Sequence, residues 1–251
     1  MSSTLHVVSA GVGPRILFVH GSATDFTTWS IQLASPLKDD FTLVAYTRRS
    51  SGSVEDHAAD AIELIGETPT MIVGSSFGAV VCLEVARRRV PAVCGIVSIE
   101  PPMAADDDTP AAPIAFLAEF DRRVATQSGP AAAEYFLRTV LGDAMYDRIP
   151  EAFQERSKAR WAEIRADSEA LIGYRPRYGE LSAIETPVLL LGGDRSAAYF
   201  RPTLDALAKA LPHARLEIVE GAGHMLHAEA RRQFADLLTS FAADCGLVAK
   251  A

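Results

Sequence analysis

The sequence lacks the features of a membrane protein or a disulfide-bonded protein. No apolar run approaches the roughly 18 residues that a membrane-spanning helix needs, and the N-terminal residues do not show the basic start and apolar core of a secretory signal. The chain contains only three cysteines, Cys82, Cys94 and Cys245, whose wide spacing fits neither a disulfide framework nor a zinc site. We therefore expect a cytoplasmic protein with reduced thiols.

Basic residues are also scarce. The 24 lysines and arginines are outnumbered by 32 aspartates and glutamates, which gives a formal net charge of −8. The longest basic run, at 87–89, is typical of a solvated helix end. Because a nucleic-acid surface needs a basic patch, we expect no nucleic-acid partner. Because no apolar run is long enough to span a bilayer, we expect no membrane partner either. A small-molecule substrate fits better, and the sequence leaves open whether the protein is a monomer or a homodimer.

Short apolar runs alternate with helical patterns along most of the chain. This order is typical of a parallel sheet covered by helices on both faces, so we predict an α/β fold. Between 103 and about 184 no convincing strand is found, and Pro113, Pro130 and Pro150 stand where helices could begin. We predict a core of residues 1–102 and 186–251, and a helical insertion at 103–185 that we name the cap segment. The strands are predicted at 4–9, 15–19, 41–46, 71–75, 92–99, 187–191 and 216–219.

A Gly-x-Ser-x-Gly motif lies between the strand at 71–75 and the apolar helix that follows. Gly74, Ser76 and Gly78 have the spacing of a nucleophile elbow, a strained strand-to-helix turn whose flanking residues must be small. Such a turn holds the serine hydroxyl above the sheet, at a helix N-terminus that favours negative charge. Ser76 is therefore the candidate nucleophile.

A nucleophilic serine needs a base within about 2.6–3.2 Å and an acid that orients the base. Parallel-sheet proteins carry such groups at the carboxyl ends of their strands, so residues that directly follow strands are the candidates. His224 follows the last predicted strand on a glycine-rich loop and is the candidate base. His227 falls near the start of the final helix. The histidines that we expect to be solvated are His6, His57 and His213.

The reaction also needs N–H donors for the oxyanion, each worth on the order of 3 kcal/mol. The strand at 15–19 ends in His20, which we expect to hold the loop that faces the serine. The candidate donors are the backbone N–H groups of Ser22 or Ala23 in this loop and of Phe77, directly after the nucleophile. This arrangement requires no metal and no cofactor.

The three motifs at 19–22, 74–78 and 221–224, in this order along the chain, resemble those of the α/β-hydrolase superfamily. The resemblance covers nearly the whole chain and includes a helical cap. It implies a sheet of seven or eight strands, a Ser–His–acid catalytic triad with an oxyanion hole, and an active site between sheet and cap. The first strand or so of the usual fold is expected to be short or missing.

The acid of the triad has two candidates. In the usual pattern of the superfamily it follows the seventh strand, but that position falls on Ser196 here, and Asp194 stands two residues early. Glu100 directly follows the strand at 92–99. Some haloalkane dehalogenases, and lactonases similar to the zearalenone-hydrolysing type, take their acid from this place. We favour Glu100 and keep Asp194 as the alternative.

The nucleophile and the cap segment indicate the class of substrate. A serine at position 76 points to acyl transfer and argues against enzymes that use aspartate there. Apolar and aromatic residues of the cap segment favour a hydrophobic substrate, with Met103, Phe136 and Trp161 as candidate contacts. Arg48 and Arg49 follow a strand and could clamp a carboxylate, although structural ion pairs are favoured.

The sequence is compatible with two functions. The first is a serine esterase or lactonase that cleaves a small, mainly hydrophobic carboxylic ester or lactone through an acyl-enzyme. The second is a non-hydrolytic protein on the same scaffold, such as a ligand receptor, a lyase or a cofactor-free cyclase or oxygenase.

Overall fold

The computed structural model describes residues 5–109, 113–175 and 177–248. These residues form a seven-stranded sheet in the order β1-β3-β2-β4-β5-β6-β7. Only β1 is antiparallel to its neighbour, and the other pairs are parallel, which confirms the α/β prediction. Each strand lies close to its predicted bounds, although residue 4 falls outside the described residues. The strands are β1 (His6–Ala10), β2 (Arg15–Val19), β3 (Thr42–Thr47), β4 (Thr70–Ser75), β5 (Val93–Ile99), β6 (Val188–Gly193) and β7 (Ala214–Val219).

Helices cover both faces of the sheet. One face packs against α3, α4 and α11, and the other packs against α1 and α13. Because both faces are covered, every residue of β4 is buried, as the continuous apolar run predicts. The helices of the core are α1 (Ser30–Leu33), α2 (Leu37–Asp40), α3 (Val54–Ile65), α4 (Phe77–Arg87), α11 (Phe200–Ala210), α12 (Leu226–Glu229) and α13 (Arg231–Asp244), with a 3-10 helix at Phe26–Trp29.

Local sequence signals define α3 well. The Ser53 side chain accepts a hydrogen bond from the Asp56 N–H, and the Asp56 carboxylate accepts one from the Ser53 N–H. This reciprocal capping box satisfies two backbone donors that have no partner inside the helix. Gly66 ends the helix with φ 56°, a conformation that costs glycine little.

Helices α5 to α10 all fall in the cap segment, and its described residues contain no strand. They build a small core of their own, centred on Phe120, Leu137 and Ile164. Ala23, from the loop after β2, is buried in this same cluster, so the core loop reaches into the cap segment. The helices are α5 (Pro113–Thr126), α6 (Gly129–Leu141), α7 (Asp143–Tyr146), α8 (Glu151–Ala159), α9 (Trp161–Gly173) and α10 (Tyr178–Leu181).

The predicted division of the chain falls between elements rather than inside them. Its first boundary, at 102, lies between β5 and α5, and its second, at 185, lies between α10 and β6. Residues 1–4, 110–112, 176 and 249–251 of these predicted units lie outside the described residues. In the described ranges, no helix combines the length and the apolar character that crossing a bilayer requires.

Candidate active site

Ser76 lies at the tip of the turn between β4 and α4. Its backbone has φ 55° and ψ −123°, a strained conformation for a residue that carries a side chain. The Ser76 N–H donates to the carbonyl oxygen of Ile99 on the neighbouring strand at 2.8 Å, which anchors the turn. A Cβ on Gly74 would overlap the backbone of Gly78, and a Cβ on Gly78 would overlap the Val19 carbonyl group. The two glycines are therefore required by close approach.

Glu100 and His224 form a buried hydrogen-bonded pair. Glu100 Oε2 lies 2.6 Å from His224 Nδ1, and the two side chains are 1% and 5% exposed. Glu100 Oε1 accepts a second hydrogen bond from the Gly193 N–H at 2.8 Å, so both carboxylate oxygens have partners. Because a carboxylate accepts, we assign the hydrogen to Nδ1, which leaves Nε2 of His224 as the basic nitrogen.

Sheet topology explains why these residues meet. Strand β5 lies between β4 and β6, so Ser76 and Glu100 leave adjacent strands at the same edge of the sheet. Strand β7 is the next neighbour of β6, and its loop brings His224 back across the end of β6. The carboxyl ends of the parallel strands thus bring Glu100 and His224 into contact and place Ser76 at the end of the adjacent strand.

The structure does not bring Asp194 to the histidine. Asp194 is exposed, and within the described residues its carboxylate accepts no hydrogen bond. Its N–H donates to the Val219 carbonyl oxygen, which fixes the turn after β6. Ser196, at the acid position of the usual superfamily pattern, has a buried hydroxyl that lacks a partner among the described residues. Of the two candidate acids, Glu100 alone contacts His224.

The described residues contain no hydrogen bond between the Ser76 hydroxyl and His224. Without bound substrate, catalytic hydrogen bonds are often long or poorly aligned and shorten only in the complex. The His224 ring is nevertheless fixed on one side, since the Phe200 ring stacks on it at 4.6 Å between centroids and 8° between planes. Phe200 also lines the cavity next to Ser76.

His20 holds the loop after β2. Its Nε2 accepts a hydrogen bond from the Arg48 N–H at 2.9 Å, so we assign the ring hydrogen to Nδ1, which donates to the Gly21 carbonyl oxygen at 2.7 Å. Burial and the nearby Arg48 charge lower the pKa of His20 well below its ordinary value, which keeps the ring neutral. In a trans peptide the carbonyl of Gly21 and the N–H of Ser22 point in opposite directions, so fixing one fixes the other.

The three candidate oxyanion donors occupy different surroundings. Ser22 lines the cavity together with Ser76, whereas Ala23 is buried against the core of the cap segment with φ 64°. Phe77 begins α4, directly after the nucleophile. Within the described residues, none of these three N–H groups donates to the protein. The geometry therefore favours Ser22 over Ala23 as the partner of Phe77.

A cavity of about 310 Å³ lies between the sheet edge and the cap segment. Met103 and Phe136, both predicted substrate contacts, line it. Trp161 does not, because its ring packs against the Gly129 backbone inside the cap segment. Tyr199 and Phe200 also line the cavity but were not predicted from the sequence. The one signal that could have found them is their position after β6, where α11 begins. The remaining lining residues are Ser22, Ser76, Pro102, Phe116, Thr139, Val140, Ser168, Leu171 and Thr203.

Two histidines that do not line the cavity, His57 and His227, are buried. His57 lies edge-on to the Phe77 ring at 5.1 Å, and burial together with the Arg48 charge lowers its pKa to about 4. The expectation of a solvated His57 was wrong because α3 turns this face toward α4 and the loop after β3. His227 packs against Trp29, and burial lowers its pKa to about 3.

The arginines after β3 form ion pairs. Arg49 pairs with Asp60 on α3, and Arg48 pairs with Asp167 on α9 in the buried interior. Neither guanidinium lines the cavity, so the structural interpretation describes them better than a substrate clamp. In the described ranges, no three histidine, cysteine or acidic side chains are grouped so that they could hold a metal ion.

Comparison with known proteins agrees with this architecture. The esterase from Thermogutta terrifontis, in a malate-bound structure, superimposes with a TM-score of 0.80 at 20% identity, covering 96% of this chain and 93% of that one. The enol-lactonase from Burkholderia xenovorans LB400 gives a TM-score of 0.79 at 19% identity, covering 95% and 96%. At these identities the likeness concerns the fold.

One curated relative is similar in sequence over a shorter stretch. It is described as the uncharacterized hydrolase YraK of Bacillus subtilis (strain 168) and is 31% identical over 113 residues. The match spans 39% of this chain and 41% of that protein, so it covers less than half of either. The model of the alpha/beta hydrolase family matches residues 16–237, which include the three motifs at 19–22, 74–78 and 221–224. The chain belongs to the alpha/beta hydrolase family.

Proposed function

We propose that this protein is a serine hydrolase that cleaves a carboxylic ester or lactone of a small, uncharged, mainly hydrophobic substrate through an acyl-enzyme. The observation that carries the proposal is the buried hydrogen bond between Glu100 and His224 at the strand end beside Ser76. A histidine held by a carboxylate on one nitrogen is a base on the other, and a serine on a strained elbow is the group it would activate.

The mechanism assigns one role to each group. His224 Nε2 takes the proton of the Ser76 hydroxyl as the oxygen attacks the substrate carbonyl. Glu100 keeps the imidazole in its reactive tautomer and stabilises the imidazolium that forms. The N–H groups of Phe77 and Ser22 stabilise the oxyanion. His224 then protonates the leaving alcohol, and a water molecule, activated by the same histidine, hydrolyses the acyl-enzyme.

The cavity lining supports an uncharged substrate. Most of the lining side chains are apolar, with Phe116, Phe136 and Phe200 the largest, and among the described residues that line it none is charged. A carboxylate buried on such a surface would lose its hydration without gaining a cationic partner, which is costly. The volume of about 310 Å³ fits a small molecule. The esterase and the enol-lactonase that share the fold are consistent with this substrate class.

The proposal is tested with a fluorophosphonate probe and a panel of 4-nitrophenyl esters and lactones. We expect the wild-type protein to be labelled on Ser76 and to hydrolyse short neutral esters. Ser76→Ala and His224→Ala should lose both properties. Ser75→Ala is the matched control, because it removes the neighbouring serine hydroxyl in β4 and should retain both.

The same experiment separates hydrolysis from the other functions that the scaffold supports. A wild-type protein that is not labelled, hydrolyses none of the esters or lactones and yet binds a small ligand tightly would contradict the proposal and favour a receptor. Labelling that persists in Ser76→Ala would show that another residue reacts.

A further inference from the structure

A buried ion pair connects the cap segment to the core behind the proposed oxyanion hole. Arg48, which follows β3, forms two hydrogen bonds to Asp167 on α9. Its Nη1 donates to Asp167 Oδ1 at 3.1 Å, and its Nη2 donates to Asp167 Oδ2 at 2.8 Å. The two side chains are 4% and 3% exposed. Removing two charges from water is expensive, so a buried bidentate pair is weak evidence for stability alone and invites the question of what it orients.

Arg48 contacts both chain segments that supply oxyanion donors. Its Nε donates to the His20 carbonyl oxygen at 3.0 Å, and its Nη2 donates to the Gly21 carbonyl oxygen at 3.1 Å. The guanidinium carbon also lies 4.4 Å from the centre of the Phe77 ring, within the range of a cation–π contact. One buried guanidinium therefore fixes the loop after β2 against the first residue of α4.

Asp167 holds the same loop directly. Its Oδ2 accepts a hydrogen bond from the Ser22 hydroxyl at 2.7 Å, in addition to the bond from Arg48. The peptide between Gly21 and Ser22 is thus restrained at the carbonyl by Arg48 and His20, and at the following side chain by Asp167. Since that peptide is planar, these bonds set the direction of the Ser22 N–H.

This loop lies against the nucleophile. A Cβ placed on Gly21 would be 3.0 Å from Ser76 Cβ and 3.7 Å from Ser76 Oγ. A small rotation of the loop would therefore change the position of the Ser22 N–H relative to the reacting carbonyl. Oxyanion donors act through their fixed positions, so such a rotation would weaken binding of the transition state.

A second ionic contact joins this loop to the cap segment and serves as a comparison. Arg156 and Arg160 donate to Asp25 at 3.0 Å and 2.7 Å. Burial tends to raise the pKa of Asp25, but hydrogen bonds from Thr27 and the two arginines lower it to about 2. Arg156 is half exposed and contacts neither Ser22 nor Arg48.

We propose that Asp167 is a positioning residue of the oxyanion hole, through which the cap segment, together with Arg48, fixes the Ser22 N–H donor without contacting the reacting atoms. The inference rests on the proposed serine-hydrolase function and deepens it. It assigns to a cap helix a part in transition-state stabilisation, whereas a purely structural pair would affect only folding.

The first test is the steady-state kinetics of Asp167→Asn. Asparagine keeps the shape of the side chain but loses the charge and one acceptor, so it cannot hold Ser22 and Arg48 together as aspartate does. Complete loss of one oxyanion donor costs about 10²- to 10³-fold in kcat, so a misdirected donor should cost about 10- to 100-fold, with KM changed by less than about threefold. Arg156→Gln, which weakens the comparison contact, should stay close to wild type.

A second measurement separates positioning from general loosening of the structure. A trifluoromethyl ketone that forms a tetrahedral adduct with the active-site serine places its oxyanion where the transition state has one, so its affinity reports the oxyanion hole. We expect the inhibition constant to rise in Asp167→Asn by about the same factor as kcat/KM falls. Ser22→Ala retains the ion pair between Arg48 and Asp167 and the backbone N–H of residue 22, but it loses the hydrogen bond to Asp167. We expect a smaller change in the same direction. A competitive ligand without a carbonyl group should bind all variants equally.

The outcomes are distinct. Should folded Asp167→Asn and Ser22→Ala both retain wild-type kcat and inhibition constants, the pair is structural and the inference is wrong. If Asp167→Asn does not fold, Ser22→Ala decides, because Asp167 remains paired with Arg48 in that variant. A wild-type protein that neither reacts with the fluorophosphonate nor hydrolyses esters would refute the serine-hydrolase function itself, and the inference with it.

Discussion

Glu100 Oε2 and His224 Nδ1 lie 2.6 Å apart although 124 positions separate the two residues in the sequence. Glu100 reaches this position with a backbone φ of 45°, directly after β5. A positive φ is costly for a residue with a side chain and tends to persist where the surroundings require it. The strain at Glu100, like that at Ser76, therefore occurs where two adjacent strands deliver side chains to one site.

Glu100→Gln should reduce kcat for a 4-nitrophenyl ester by about 10³- to 10⁴-fold, because the amide favours the wrong imidazole tautomer and does not stabilise the imidazolium. Asp194→Asn is the matched carboxylate-to-amide control and should retain nearly full activity, since Asp194 is exposed and does not contact His224. Full activity in Glu100→Gln, with loss in Asp194→Asn, would reverse the assignment of the acid.

Gly74→Ala should disrupt the elbow. The added methyl group would overlap the Gly78 backbone, which cannot move away as the end of a flexible side chain could. Overpacking of this kind costs about 1–3 kcal/mol, and here it also displaces Ser76, so we expect a lower Tm and loss of fluorophosphonate labelling. Gly173→Ala is the control, since a Cβ at Gly173 meets no atom within 4 Å. A Gly74→Ala protein with wild-type Tm and labelling rate would contradict the close-packing argument.

The cavity should discriminate against charged substrates. The measurement is kcat/KM for 4-nitrophenyl butanoate and for mono-4-nitrophenyl succinate, in which a carboxylate replaces the terminal methyl group. Burial of the carboxylate without a partner should lower kcat/KM by about 10²-fold or more. Thr139→Lys adds a cation at an exposed position of the lining, so it should raise the relative rate of the succinate ester. Equal rates for the two esters in the wild type would indicate that the acyl chain binds outside this cavity.

Stability should fall as the pH drops below about 6, partly because of His57. Its pKa is about 4 in the folded protein, against 6.5 for an unperturbed histidine, since burial and the Arg48 charge disfavour the imidazolium. The unfolded chain therefore binds a proton that the folded protein does not. The stabilising contribution is complete above pH 6.5 and is lost as the pH falls toward 4, by up to about 1.4 kcal/mol per pH unit.

Urea unfolding between pH 7 and pH 5 measures this effect. His57→Gln removes the titrating group and should make the free energy of unfolding less dependent on pH over this range, whatever its effect at pH 7. His213→Gln is the control, because this side chain is exposed. An unchanged slope in His57→Gln would show that His57 does not account for the pH dependence.

Local patterns predicted the elbow, the strands and His224, because each depends on neighbours in the sequence. The choice between Glu100 and Asp194 stayed open because both directly follow strands. It depends on how the His224 loop crosses the end of β6, which no local pattern encodes. Trp161, predicted as a substrate contact, does not line the cavity, and an aromatic residue suits the cap interior and the cavity wall equally well. Phe200 was missed because its role arises from the stacking of its ring on His224.

Ala23 is buried among Phe120, Leu137 and Ile164 of the cap segment, although it belongs to the loop after β2. A chimera that replaces only residues 103–185 would place the cap helices of another protein against the original loop after β2. It would lose the packing around Ala23, the hydrogen bond that Ser22 donates to Asp167 and the ion pair between Arg156 and Asp25. We therefore expect an active chimera to require that the cap segment is exchanged together with residues 22–25.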